Sequence, residues 1–326
     1  MHARLTVLAL AAAALSASAL SAQTPPAPQV SVTGVVFTQY QYTDAPVHTN
    51  TFDVNRAYVN VLGRFSSGIS TRVTADVYRL APDNSLQYRL KYAFAAWTPT
   101  GSSLTYKLGL IQTPFVDFEE TLWDYRMQGS IAVDRNGAMT SADLGAGIDG
   151  KWNNDQVNGQ LAIVNGEGYS GGTGDFRKDL EARVSVRVKA TNDASRVGGL
   201  RVTGYAGIGK ATGGADRNRY LGMLSYRTQQ VTLAGEFVST KDAATGRIIS
   251  VFGVYHLAHS KVAALARVDI VDPNTSVGAN KQTRVIGGVS YQLSPNVRLL
   301  ADLDRLSFES GATPTNQALL QAQFTF

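Results

Sequence analysis

From Val30 onward, apolar and polar residues alternate along the chain. Val73, Ala75 and Val77 stand against Arg72, Thr74, Asp76 and Tyr78. Leu180, Ala182, Val184, Val186 and Val188 stand against Glu181, Arg183, Ser185, Arg187 and Lys189. Val297, Leu299, Ala301 and Leu303 stand against Arg298, Leu300, Asp302 and Asp304. Successive side chains of a strand point to opposite faces, so a period of two marks strands with one apolar and one polar face. No stretch of similar length shows the 3.6-residue period of an amphipathic helix.

Turn signals divide this pattern into sixteen strands. They are predicted at 30–42, 51–64, 70–80, 86–98, 104–113, 142–152, 156–165 and 179–190, then at 199–210, 217–228, 230–240, 246–257, 261–272, 281–293, 296–308 and 316–326. Connections after even-numbered strands are tight, as at Ser66-Ser67-Gly68, Asn153-Asn154-Asp155, His259-Ser260 and Ser294-Pro295. Those after odd-numbered strands are longer, at 44–50, 114–141, 211–216, 273–280 and 309–315. The short 81–85 and the long 166–178 also fall in this second series. An even number of antiparallel strands with short turns at one end and longer loops at the other is the plan of an outer-membrane barrel. The expected fold is therefore all-β: a 16-stranded antiparallel transmembrane β-barrel over 30–326, with both termini on the periplasmic side. A soluble sandwich alternates too, but it keeps its apolar faces inward and has no reason to sort its loops by side.

Composition changes the picture in three ways. The 326 residues are 44% hydrophobic and 17% charged, with a net charge of +5, which excludes a disordered chain. A mean hydropathy of −0.09 excludes a protein of many apolar helices, and the absence of cysteine excludes disulfides and thiolate metal sites. Read at period two, that mean is the average of a lipid-facing half and a water-facing half. The start of the chain differs. Residues 1–22 pass from His2 and Arg4 through an apolar stretch, Leu5 to Leu15, into small residues, the layout of a secretory signal. Cleavage is expected after Ala19 or Ala22, with 23–29 as a short linker to the barrel.

If the apolar face meets lipid, the polar face lines a lumen. Its predicted anion pathway includes Arg56, Arg72, Arg89, Lys91, Lys107, Arg183, Arg187 and Arg201, with Arg219, Arg227, Arg267, Arg284 and Arg298 further along. Inward acids are fewer: Asp76, Asp143, Asp149, Glu181, Glu236, Asp269, Asp302 and Asp304. A low-dielectric wall focuses such a field into the channel and enriches anions, and rings of Arg and Lys are how pores select anions or phosphate. Tyr40, Tyr42, Tyr92, Trp97, Trp152, Tyr255, Tyr291, Phe308 and Phe326 are candidates for interfacial girdles.

The third of the long connections, 114–141, is also the longest. Phe115, Phe118, Leu122, Trp123, Tyr125, Met127 and Ile131 make it too apolar for a loop held in water. Folding into the barrel would bury these side chains against the wall and bring Arg126 and Arg135 to the passage. The loop acids Asp117, Glu119, Glu120 and Asp124 are expected to tie the loop to the lumen wall.

Two stretches carry a family resemblance. The first is Phe52-Asp53-Val54-Asn55-Arg56-Ala57-Tyr58-Val59-Asn60-Val61, followed by Gly63-Arg64 and Ser70-Thr71-Arg72-Val73. The second runs from Gly109-Leu110-Ile111-Gln112-Thr113-Pro114 through Asp124-Tyr125-Arg126 and Asp134-Arg135-Asn136-Gly137 to Ser141-Ala142-Asp143-Leu144-Gly145. Together they resemble the phosphate-selective porin O and P family over about 50–150; beyond that the likeness is architectural. The resemblance implies a homotrimeric, sixteen-stranded barrel that conducts anions through a channel narrowed by an infolded third loop. Alternating Leu320, Ala322, Phe324 and Phe326 also resemble the terminal signal that bacterial outer-membrane proteins present to the barrel-assembly machinery. This chain departs from the family in its lean outer loops and in having no dense lysine cluster.

The expected function is passive diffusion of small anions such as phosphate across outer-membrane lipid, without a cofactor. The alternatives are a barrel hydrolase and a non-selective structural barrel. A hydrolase needs a nucleophile beside a base, whereas His256 and His259 flank one tight turn with no second catalytic element and no further metal ligands. Nucleic acid is not an expected partner, because the cations are spread through alternating strands rather than gathered in a patch.

Overall fold

The structure, a computed structural model, describes residues 27–326 except 81–82, 172–174 and 212. The predicted export signal lies outside the described residues, as do 23–26 of the expected linker. All sixteen expected strands are present, none with an end displaced by more than two residues. In chain order they are β1 (Gln29–Thr43), β2 (Thr49–Arg64), β3 (Ile69–Arg79), β4 (Leu86–Trp97), β5 (Leu104–Gln112), β6 (Ala142–Trp152), β7 (Val157–Val164) and β8 (Asp179–Lys189). The second half comprises β9 (Gly199–Ile208), β10 (Asn218–Arg227), β11 (Val231–Lys241), β12 (Thr245–His256), β13 (Val262–Asp272), β14 (Gln282–Ser294), β15 (Val297–Phe308) and β16 (Thr315–Thr325). Each pairs antiparallel with its sequence neighbours, and β1 pairs with β16 from Val35↔Thr325 to Thr43↔Gln317, which closes the barrel.

Closure leaves no sheet edge, the condition for strands to lie in hydrocarbon. At the seam, the Gly34 and Phe326 backbones exchange hydrogen bonds of 2.8 and 3.0 Å. The Phe326 ring covers Gly34 so closely that a Cβ there would lie 2.2 Å from Cζ, so a side chain at this position would push the ring aside. Loop sorting has two departures. Residues 190–198, at the tight-turn end, form a longer connection, and 242–244, at the long-loop end, form a tight hairpin.

Among the described residues no helix is long and apolar enough to cross a membrane. The loop 113–141 folds into the barrel and carries two short helices, α1 (Val116–Leu122) and α2 (Ala132–Arg135). Asp117 and Glu119 occupy the first turn of α1, where carboxylates complement the helix dipole, and the Trp123 amide donates to the Glu119 carbonyl to end it. Phe115, Phe118 and Leu122 then fall on one side, and all three are buried.

The wall that receives the loop differs from the sequence expectation of a polar lumen face. On β10–β15 the inward positions include Leu221, Met223, Val238, Ile248, Phe252, Val254, Leu265, Ile286 and Leu300, all buried in one cluster with the loop's apolar side chains. At these positions the arc is apolar on both faces because it meets lipid outside and the loop inside, while polar residues between them, such as Glu236, Arg267 and Ser290, are buried beside the loop. Burying a Leu- or Phe-sized side chain contributes about 1.5–3 kcal/mol, so the loop and this wall form a core of the ordinary kind inside a membrane barrel.

Candidate permeation site

Two β-bulges shape the lumen face that the loop leaves open. Between β1 and β2 the register steps from Phe37↔Arg56 to Thr38↔Val54, which inserts Asn55. Between β3 and β4 it steps from Thr74↔Tyr92 to Ala75↔Leu90, which inserts Lys91. A bulge re-aims side chains by placing two consecutive residues against one partner. Here Lys91 and Tyr92 both turn inward. Tyr92, expected in an interfacial girdle, is instead 4% exposed, with the Arg72 guanidinium 4.5 Å from its ring centre. Asn55 reaches the loop and donates to the Met127 carbonyl at 3.4 Å.

The eight candidate pathway cations separate into distinct environments. Lys107 pairs with Asp149 at 2.5 Å. Arg89 pairs with Asp76 at 2.9 Å, sits between the Tyr78 and Tyr169 rings (4.6 and 4.5 Å), and donates to the Tyr169 hydroxyl and Ser170 Oγ. Arg201 is fully buried beneath the 190–198 connection, donating to the Gly198 and Asp155 carbonyls. Arg183 is also buried; it donates to the Pro114 carbonyl and Asn158 Oδ1 and stacks 4.3 Å from Phe118. Arg187 donates to the Asn154 carbonyl at a tight turn. Alternation places these last three on the lumen face. Tertiary packing turns them to backbone carbonyls, to Asn158 Oδ1 and, for Arg201, to the Asp155 carboxylate at 3.5 Å, so they brace the loop and turns.

The remaining three, Arg56, Arg72 and Lys91, have no carboxylate partner among the described residues. Arg72 donates to Thr74 Oγ1 (3.0 Å) and Asn60 Oδ1 (2.9 Å). Arg56 and Lys91 both donate to the Tyr58 hydroxyl, at 2.9 and 3.1 Å. From the loop, Arg126 donates to the same hydroxyl at 3.2 Å while pairing with Glu120. Of the eight, Arg56, Arg72 and Lys91 are the ones that gather in one cluster, on β2–β4, facing the turning point of the loop.

The loop's other charges are tied down. Asp117 pairs with Arg196 at 2.7 Å, Asp124 with Arg298 at 3.0 Å, and Arg135 with Asp304 at 3.5 Å. Arg135, expected at the passage, is held against the β15 side by Asp304 and Gln128 instead. Glu119 is 1% exposed beside Glu236, and Glu119 Oε2 and both Glu236 oxygens have no hydrogen-bond partner. Burial, and then the neighbouring Glu236, push the Glu119 carboxyl well above the usual carboxylate range. Such a pair is compatible with burial only if it keeps a proton. Further anchors run from Tyr125 to Ser290 (2.7 Å), from Gln321 to the Met127 carbonyl (2.7 Å) and from Arg267 to the Ser130 carbonyl (2.8 Å). Phe324 and Phe326 lie on and beside β16 with their rings exposed outward.

Sequence reasoning did not assign Tyr58, Tyr92 or Tyr169 to the site. The available signal was the adjacent pair Lys91-Tyr92, which breaks strict alternation where a bulge resides.

A model of the Gram-negative porin family matches residues 8–311. No curated protein matches the chain by sequence. Among solved structures, the fold is similar to the anion-selective porin from Comamonas acidovorans, at a TM-score of 0.68 and 12% identity, covering 92% of this chain and 100% of that one. It is also similar to OmpF of Salmonella typhi, at 0.69 and 12%, covering 91% and 97%. A trimer form of OmpT, an outer membrane protein of Vibrio cholerae, aligns at 0.63 and 13%, covering 92% and 99%. The family match is to the broad porin group, wider than the O and P branch that the two sequence stretches resemble.

Proposed function

Because the chain belongs to the Gram-negative porin family, we propose that it forms an outer-membrane channel for passive diffusion of small anionic solutes, with no covalent chemistry. The observation that carries this reading is the cluster of Arg56, Arg72 and Lys91, none of them in an ion pair with a carboxylate, gathered on β2–β4 opposite the apolar wall that receives the loop. Cations fixed in a low-dielectric wall attract anions far more strongly than the same charges in water. Guanidinium groups present planar forks of donors that suit oxyanions, so inorganic phosphate belongs to the proposed solute class. The resemblance to the phosphate-selective O and P family and the anion selectivity of the Comamonas acidovorans neighbour support the same direction. We further propose export through the 1–22 signal, recognition of the Phe324–Phe326 end by the assembly machinery, and a homotrimeric state.

The test is the reversal potential of the purified protein in planar bilayers across a potassium chloride gradient. An anion-to-cation permeability ratio above one is expected. A ratio at or below one, or a protein that opens no pores, overturns the proposal.

A further inference from the structure

A tyrosine hydroxyl has one hydrogen to donate and two lone pairs to accept with. At Tyr58 three cationic groups from three elements converge on that one oxygen: Arg56 Nη1 at 2.9 Å from β2, Lys91 Nζ at 3.1 Å from β4, and Arg126 Nη2 at 3.2 Å from the infolded loop. Lys91 also lies 4.7 Å from the Tyr58 ring centre, so the hydroxyl and the ring face are both engaged by cations. Three donors around one oxygen exceed what a neutral phenol accepts. They match an oxyanion oxygen, which has more lone-pair density and a full charge to offer. Of the three cations, only Arg126 has a carboxylate of its own, Glu120.

We propose that the Tyr58 hydroxyl is a resident occupant of an oxyanion seat formed by Arg56, Lys91 and Arg126, and that it weakens the seat enough for permeating phosphate or carboxylate groups to leave it. The inference rests on the anion-channel reading above and names the residue that sets how tightly that channel holds its solute. A conducting site must bind well enough to be entered and weakly enough to be vacated. An oxyanion that enters must replace the Tyr58 oxygen, so part of its binding free energy offsets bonds already made. Arg56 and Tyr58 share one face of β2 two residues apart, and Lys91, the residue inserted at the β4 bulge, reaches the same oxygen from across β3.

The experiment measures block of chloride current by added inorganic phosphate, for the wild-type protein and for Tyr58→Phe, in planar bilayers. Phenylalanine keeps the ring and removes only the competing oxygen. The phosphate concentration for half-block, measured relative to each protein's own phosphate-free current, is expected to fall about fivefold or more. Tyr226→Phe, on the outward face of β10, serves as the control for a lost phenol outside the lumen. Half-block unchanged or raised in Tyr58→Phe overturns the proposal, since the hydroxyl would then be neutral to the anion or part of its binding site. Failure of the channel reading is separately visible, as a wild-type reversal potential showing no anion preference. Heat-modifiable gel mobility identifies a variant that did not fold. In that case Tyr58→Leu, which also removes the oxygen, is put to the same measurement: a lowered half-block supports the proposal, and an unchanged or raised one overturns it.

Discussion

The two sides of the lumen are built on opposite principles. On β10–β15 many inward positions are Leu, Ile, Val, Phe and Met, interspersed with buried polar residues such as Glu236, Arg267 and Asp302, and the loop packs against them with the Trp123 and Phe252 rings edge to face at 5.2 Å. On β2–β4 the inward positions are Arg56, Tyr58, Asn60, Arg72, Thr74, Asp76, Arg89, Lys91 and Tyr92, a mostly polar set in which Tyr58 touches the margin of the loop's apolar cluster and Tyr92 packs with Leu110 and Ala142. The first arc gains stability by packing against the loop, and the second gathers cations whose donors meet hydroxyl and amide oxygens rather than carboxylates. A barrel strand has only one inward face, so one arc cannot serve both ends. The protein separates them around its circumference and uses the loop to turn half of its wall into a core.

The contrast is most easily undone at its apolar half. Trp123→Ala removes a fully buried indole and the Nε1 hydrogen bond to the Gly129 carbonyl, at a cost of about 3–5 kcal/mol. The expected outcome is a lower thermal midpoint in detergent and a larger, noisier conductance, because the loop is no longer held to the wall. Unchanged conductance would mean that the loop does not narrow the path.

At the open half, the double charge reversal Arg56→Glu with Lys91→Glu should lower the anion-to-cation permeability ratio below one, read from the reversal potential. Arg201→Gln is the matched contrast. Arg201 serves the Gly198 and Asp155 carbonyls, so its loss should cost about 1–3 kcal/mol in stability and leave the permeability ratio where it was. If Arg201→Gln shifts selectivity as far as the double reversal does, the division between bracing and permeation cations is wrong.

A smaller effect is expected from pH. The Glu119 carboxyl is raised above its ordinary value of 4.5 by burial and by Glu236, so folding favours its protonated form. Its contribution to holding the loop is complete below pH 4.5 and is lost as pH rises through the raised value. Thermal stability should therefore decline above pH 4.5, and Glu119→Gln, which keeps a neutral side chain of the same shape, should flatten that decline. A slope identical in the two proteins would place the sensitivity elsewhere.

The smallest effect belongs to the exposed ion pairs at the long-loop end. Asp216 is held down to about 2 by hydrogen bonds and charge from Lys210 and Lys241. The pairs sit in water, where such contacts contribute little. Asp216→Asn should leave both the thermal midpoint and the permeability ratio within measurement error. A shift comparable with that of Trp123→Ala would show that this loop does more than cap the barrel.

Strand placement was legible because a membrane barrel imposes one rule on every strand: an apolar outer face in register with the pleat. Val73, Ala75 and Val77 obey it without reference to any neighbour. The infolded loop was legible for a related reason, since Phe115, Trp123 and Tyr125 require burial wherever they go. The apolar inner wall was harder to read. In Ile248-Ile249-Ser250-Val251-Phe252 the alternation nearly vanishes, which marks burial on both faces, but the burying partner is more than a hundred residues away in sequence.

The candidate site was legible as a set of residue types and not as a place. Arg183 and Arg72 occupy equivalent positions in the alternating pattern. One is buried, stacks on Phe118 and serves the Pro114 carbonyl of the loop; the other lies over Tyr92 and donates to Thr74 and Asn60 on the wall. Facing direction is local, because it follows from the pleat. Availability of charge is not local, because it depends on which carbonyl, carboxylate or ring the closed barrel brings within about 3 Å of the side chain. Residue chemistry alone therefore specified the barrel, its strand number and the loop that had to be buried. The closed barrel, through the residue inserted on β4 and the path of the loop, decided which three of many cations gather on one arc without a carboxylate partner.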